Sequence, residues 1–132
     1  MKRILAMLSL CLMMFLPYGC EEANAKGVVE VVSAEEMKSI TMMDEIQLID
    51  VRTEEEYESG HIEGAENLVL DDNFREKIQE LDKSKPVAVY CLKGGRSARC
   101  TEIMKAEGFT KIYDLEGGLT TWKKADLPIV NE

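Results

Sequence analysis

The sequence predicts an α/β fold: one domain on a central, mainly parallel sheet of about five strands, with helices on both faces. Three observations predict it. Short β-branched or apolar runs alternate with helix-starting patterns along the chain. Most of the links between them are short, as expected when a helix carries the chain back to begin the next parallel strand. Finally, 132 residues that are 45% hydrophobic and 31% charged fit one globular domain and exclude a disordered chain.

The fold is expected to occupy residues 26–132, because the first stretch reads as an export signal. Lys2 and Arg3 supply positive charge, and Ile4 to Leu16 is apolar apart from Ser9. Pro17 and Gly19 then interrupt the run, which is shorter than the roughly 20 residues that cross a bilayer as a helix. Ala23-Asn24-Ala25 is a small-x-small cleavage pattern, so residues 1–25 read as a signal peptide. Cys20, preceded by Gly19, resembles the cysteine of a bacterial lipoprotein signal, although Pro17 departs from the aliphatic residue usual there. A cut before Cys20 with lipidation of that cysteine, and a cut after Ala25 with free release, both stay open. Either puts the domain in a periplasmic or other extracytoplasmic space.

Each element has a local cause. Val28 to Val32 is β-branched and predicts a strand. Ser33-Ala34-Glu35-Glu36 is a capping box that starts a helix, and Thr53-Glu54-Glu55-Glu56 starts another that stops at Gly60. Between them, Ile46 to Val51 is apolar except at Gln47 and Asp50, as a strand covered on both faces requires. Phe74, Ile78 and Leu81 share a helical face, which predicts a third helix capped by Asp71 or Asp72 and running through Leu81. Pro86 opens Val87-Ala88-Val89-Tyr90, the most buried-looking strand. A helix is expected from Ser97 to about Glu107, stopped by Gly108. Ile112 to Leu115 is the next strand, and Gly117-Gly118 precedes a last helix around Trp122, a core plug. The acidic runs at Glu54–Glu56 and Asp71–Asp72 read as helix starts favoured by the dipole, not as metal sites.

Charge narrows the function. Sixteen basic residues against 25 acidic ones give a net charge of −9, which offers no basic face to nucleic acid or an anionic membrane. Against this background Lys93, Arg96 and Arg99 cluster behind Cys91, with no Asp or Glu from Cys91 to Cys100. Cys91 ends the central strand, at the carboxyl edge where α/β sheets bind ligands. Gly94 and Gly95 let the backbone curl so that N–H groups face inward, and the next helix adds its positive end. A thiol so placed is expected to have a lowered pKa and to meet anions.

Cys91-x-x-Gly94-x-Arg96-Ser97 resembles the active-site loop of single-domain rhodaneses, which are sulfurtransferases. Leu48-Ile49-Asp50-Val51-Arg52 with Glu56-Tyr57, Gly60-His61-Ile62-Glu63-Gly64-Ala65-Glu66-Asn67, and Gly117-Gly118-Leu119-Thr120-Thr121-Trp122 with Leu127-Pro128 resemble three further segments of that family, in the same order. The resemblance implies a rhodanese-like fold in which Cys91 is the nucleophile. It would take a sulfane sulfur from thiosulfate or a similar small donor, become a persulfide, and pass the sulfur to a thiophilic acceptor: cyanide, a thiol or an acceptor protein. No metal or organic cofactor is implied, because the persulfide carries the transferred atom. Arg96 would bind the donor's oxyanion, with Lys93 at the mouth. Leu92, Gly94, Gly95 and Ser97 would complete the loop, and Asp50 and Arg52 would brace it. His61 is expected to be structural, and Cys100 a buried structural thiol rather than a resolving one.

Three rivals stand beside this reading. A phosphatase or arsenate reductase of related architecture carries a longer loop than the four residues between Cys91 and Arg96. A persulfide carrier or binding module without turnover would use the same Cys91. A thiol oxidoreductase would pair Cys91 with Cys100, but their spacing is not Cys-x-x-Cys. Nothing in the sequence points beyond a monomer.

Overall fold

A computed structural model describes residues 27–131. The expected signal peptide and Cys20 lie outside these described residues. The elements follow in the order β1 (Val28–Val32), α1 (Ala34–Thr41), β2 (Gln47–Asp50), α2 (Glu54–Glu58), β3 (Glu66–Asn67), α3 (Phe74–Lys77), β4 (Val87–Tyr90), α4 (Gly95–Ala106), β5 (Lys111–Leu115) and α5 (Gly118–Lys124). All strand pairs are parallel, and the five strands lie in the order β1-β5-β4-β2-β3. The α/β class, the five-stranded sheet and the covered faces therefore agree with the sequence.

Strand alternation sorts the core into two layers. Leu48, Ala88, Tyr90 and Leu115 pack on one face with Met37 of α1 and Leu119 and Trp122 of α5. Ile49, Val87, Val89, Cys91 and Ile112 pack on the other with Phe74 of α3 and Cys100 and Met104 of α4. β4 lies between the two layers, and all four of its residues are inaccessible to solvent. Both capping boxes form as expected: Ser33 Oγ accepts from Glu36 N at 3.2 Å and Glu36 Oε2 from Ser33 N at 2.8 Å, and Thr53 and Glu56 repeat the pattern.

The third helix differs from expectation. α3 spans Phe74–Lys77 and tightens into a 3₁₀ turn at Ile78–Glu80, and its cap position is held by Asn73. Asp71 instead turns its carboxylate onto the Asn73 N–H, 2.9 Å away, and binds Lys77 Nζ at 2.6 Å. With its carboxylate spent inside this turn, Asp71 does not cap α3. Phe74 and Ile78 are still buried, so the inward face was read correctly although the helix was not.

β2 sends its connection toward β3, while its neighbour β4 sends its own toward β5. The chain thus parts between β2 and β4, the kind of switch point at whose carboxyl ends α/β sheets form their ligand crevice. Cys91 directly follows β4, at this crevice.

Candidate active site

Cys91 is 1% exposed, and its position is set by a left-handed turn. Gly94 has φ +100° and occupies the cap position of α4. This curls the loop back so that the Gly94 N–H donates to Cys91 Sγ at 3.0 Å. The thiol lies 3.6 Å from Ser97 Oγ and donates to it, and Ser97 Oγ donates to Gly94 O at 3.2 Å. Burial by itself pushes the Cys91 thiol up. The Ser97 hydroxyl and the N–H groups of Ser97, Gly94 and Lys93 outweigh it, so the thiol lies below its usual range.

The sequence expected both loop glycines to be conformationally demanded; the structure demands only one. Gly95 is the first residue of α4, its φ is not positive, and an added Cβ would meet nothing within 4 Å. The glycine that sequence reasoning left out of the site is Gly118. It has φ +62°, and a Cβ there would lie 2.5 Å from Cys91 O and 2.7 Å from Leu92 O. This close approach lets α5 grip the loop. Leu119 N donates to Cys91 O at 2.8 Å, Thr120 N to Leu92 O at 3.0 Å, and Thr120 Oγ1 to the same carbonyl at 2.9 Å. The visible signal was the Gly117-Gly118 pair directly before a helix.

Arg96 lies across the crevice from the end of β2. Its guanidinium forms a bidentate pair with Glu56 of α2, at 2.7 and 2.9 Å. The Arg96 guanidinium, with the Thr53 N–H and hydroxyl, holds Glu56 down to about 2, and Glu56 in turn raises Arg96. The pair bridges the two elements that flank the crevice. Lys93 is exposed at its rim and makes no ion pair among the described residues.

Asp50 and Arg52 form a fully buried pair at 2.7 Å, 0% and 3% exposed. Arg52 also donates to Gly60 O at 2.6 Å, and its guanidinium carbon lies 5.8 Å from the centre of the Tyr90 ring. The pair thus braces the end of β2 and the residue before Cys91 without a hydrogen bond to the loop itself. His61 is structural: Nδ1 donates to Tyr57 O at 2.9 Å, its ring stacks on Tyr57 at 3.7 Å, and its backbone bridges to Val130. Trp122 is buried and donates to Pro128 O at 2.9 Å. Cys100 is a free, buried thiol on α4, pushed up to about 12 mainly by burial.

The site is therefore a single activated sulfur in a cradle of amides, on a strand-to-helix loop of a parallel α/β domain. The Rhodanese-like domain profile matches residues 33–125, and the chain belongs to that family. It is 30% identical over 95 residues to a protein named thiosulfate sulfurtransferase GlpE from Shewanella oneidensis, covering 72% of this chain and 93% of the relative. Over 76 residues it is 42% identical to the uncharacterized protein YqhL of Bacillus subtilis, covering 58% of this chain and 60% of the relative. Among solved structures, a rhodanese-related protein from Thermoplasma volcanium superposes with a TM-score of 0.70 at 30% identity, covering 78% of this chain and 99% of the other.

Proposed function

We propose that the protein is a sulfurtransferase that moves a sulfane sulfur from thiosulfate or a similar small donor to a thiophilic acceptor. The observation that carries this is the buried Cys91 thiol, lowered by Ser97 and converging backbone N–H groups. In the first half-reaction the Cys91 thiolate attacks the outer sulfur of the donor. A new S–S bond forms, the donor's S–S bond breaks, and its electron pair leaves with sulfite. In the second, cyanide or a thiolate attacks the outer persulfide sulfur, and Cys91 departs as thiolate into the same amide cradle. The cradle serves both halves because it stabilises negative charge on sulfur at one fixed point.

Arg96 and Lys93 supply positive charge at the mouth, and Leu92, Gly94, Gly95 and Ser97 shape the loop. Arg96 is already held by Glu56, so an incoming oxyanion competes with that carboxylate for the guanidinium. A persulfide on Cys91 needs no metal or organic cofactor. From the sequence we also read residues 1–25 as directing export, with Cys20 a candidate for lipidation.

The test is steady-state formation of thiocyanate from thiosulfate and cyanide, with intact-mass analysis before and after thiosulfate. Turnover with a gain of one sulfur atom on Cys91 is expected. Loading without turnover replaces the enzyme by a persulfide carrier, and no loading overturns both. The same mass reports the processed N-terminus and any lipid.

A further inference from the structure

Glu56 serves two partners at once. As the third residue of α2 it closes the capping box: its Oε1 accepts from the Thr53 N–H at 3.3 Å and from the Thr53 hydroxyl at 3.1 Å. The same carboxylate reaches the start of α4. There Oε1 accepts from Arg96 Nη1 at 2.7 Å, and Oε2 accepts from Nη2 at 2.9 Å. A helix start needs only the first set of bonds. The second set takes up the guanidinium fork that a donor's oxyanion would otherwise use.

The carboxylate is anchored by Thr53 independently of Arg96, so it stays beside the fork even when the guanidinium turns away. The Arg96 and Glu56 side chains are 36% and 29% exposed, which leaves the pair less screened than one on open surface. An entering oxyanion must part the pair and then remain close to the carboxylate it displaced. Lys93, at the rim, is the loop cation that keeps its charge unpaired among the described residues.

Sulfur donors differ in what they ask of this fork. Thiosulfate is a dianion whose outer sulfur arrives on an oxyanion group that a bidentate arginine fits. An alkyl hydropersulfide, R–S–SH, is neutral in its electrophilic form and carries no oxyanion at the reacting end. When the Cys91 thiolate attacks its outer sulfur, a Cys91–sulfur bond forms and the donor's S–S bond breaks. The electron pair leaves with the alkyl thiolate, and the hydrogen stays on the transferred sulfur, so no further reactant is needed.

We propose that Glu56 is a specificity-determining residue: by occupying the Arg96 fork it biases the site away from oxyanion-bearing donors and toward small alkyl hydropersulfides. This deepens the sulfurtransferase reading above and rests on it.

The test is single-turnover loading of the full-length protein by thiosulfate and, separately, by cysteine hydropersulfide, with the sulfur gained on Cys91 followed by mass. The quantity read is the ratio of the two rate constants, because the donors' intrinsic reactivities cancel between parent and variant. Glu56→Gln removes the charge while its amide oxygen still closes the capping box. The thiosulfate-to-hydropersulfide ratio is expected to rise about tenfold, carried by the thiosulfate rate. Should the glutamine amide take the carboxylate's place at the fork, Glu56→Ala gives the same readout with the same expected direction. With Arg96→Gln already in place there is no fork to free, and Glu56→Gln is then expected to move the ratio less than about threefold. An unchanged or lowered ratio in both Glu56 variants overturns the proposal. So does an equal rise with and without Arg96, which would mean that Glu56 acts by its charge through space. Absence of loading from either donor overturns the sulfurtransferase reading itself, whereas loading at an unchanged ratio overturns this inference alone.

Discussion

Cys91 and Cys100 are the same side chain, nine residues apart, in the same hydrophobic layer, and 1% and 0% exposed. Their thiols nevertheless move in opposite directions, Cys91 below its usual range and Cys100 up to about 12. The difference is what surrounds each sulfur. Cys100 sits in the middle of α4, where backbone N–H groups are committed to the helix itself. Cys91 sits just before that helix, where the first N–H groups have no partner in the helix and are free to point at sulfur. Burial alone passivates a thiol; burial beside unclaimed amides activates it.

The largest effect expected from this contrast is in alkylation of the native protein at neutral pH. Label is expected on Cys91 and is lost in Cys91→Ala, while Cys100→Ala retains the parent rate. A thiol at about 12 is ionised to only about one part in 10⁵ at pH 7. Native labelling at Cys100 would break the comparison.

Two glycines sharpen it further. Gly118→Ala pushes a methyl into the carbonyls of Cys91 and Leu92. A loss of about 3 kcal/mol in urea denaturation is expected, with slower labelling of Cys91. Gly95→Ala, in open space at the first turn of α4, is expected to be neutral or to stabilise by up to about 1 kcal/mol. A tolerated Gly118→Ala would show that α5 does not set the loop.

The smallest effect concerns the pair at the mouth. Glu56 is depressed to about 2 from 4.5 by Arg96, so the pair stabilises the fold above the unfolded carboxyl's pKa. That contribution is lost as pH falls through about 2. Glu56→Gln is therefore expected to cost about 1 kcal/mol near neutrality, because solvent screens a pair this accessible. The cost should vanish toward pH 2. A cost independent of pH would mean that the charge on Glu56 does not contribute.

What could be read in the sequence was whatever neighbouring residues decide. Ser33 with Glu36 and Thr53 with Glu56 cap their helices over three residues, and both boxes form. Cys91, Gly94 and Ser97 interact over six residues, so the cradle was legible as well. Contacts across the chain were not. Glu56 was visible as a cap but not as the partner of Arg96, 40 residues away. Two-residue β3 exists because Ile49 and Asp50 offer it an edge, not because Glu66 and Asn67 favour a strand.

The grip of residues 118–120 on the Cys91 and Leu92 carbonyls also has a consequence for synthesis. A ribosome that has delivered the loop and α4 has not yet delivered the segment that clamps them. The emerging polypeptide thus carries an unshaped thiol until α5 is released, and reactivity arrives only with that helix.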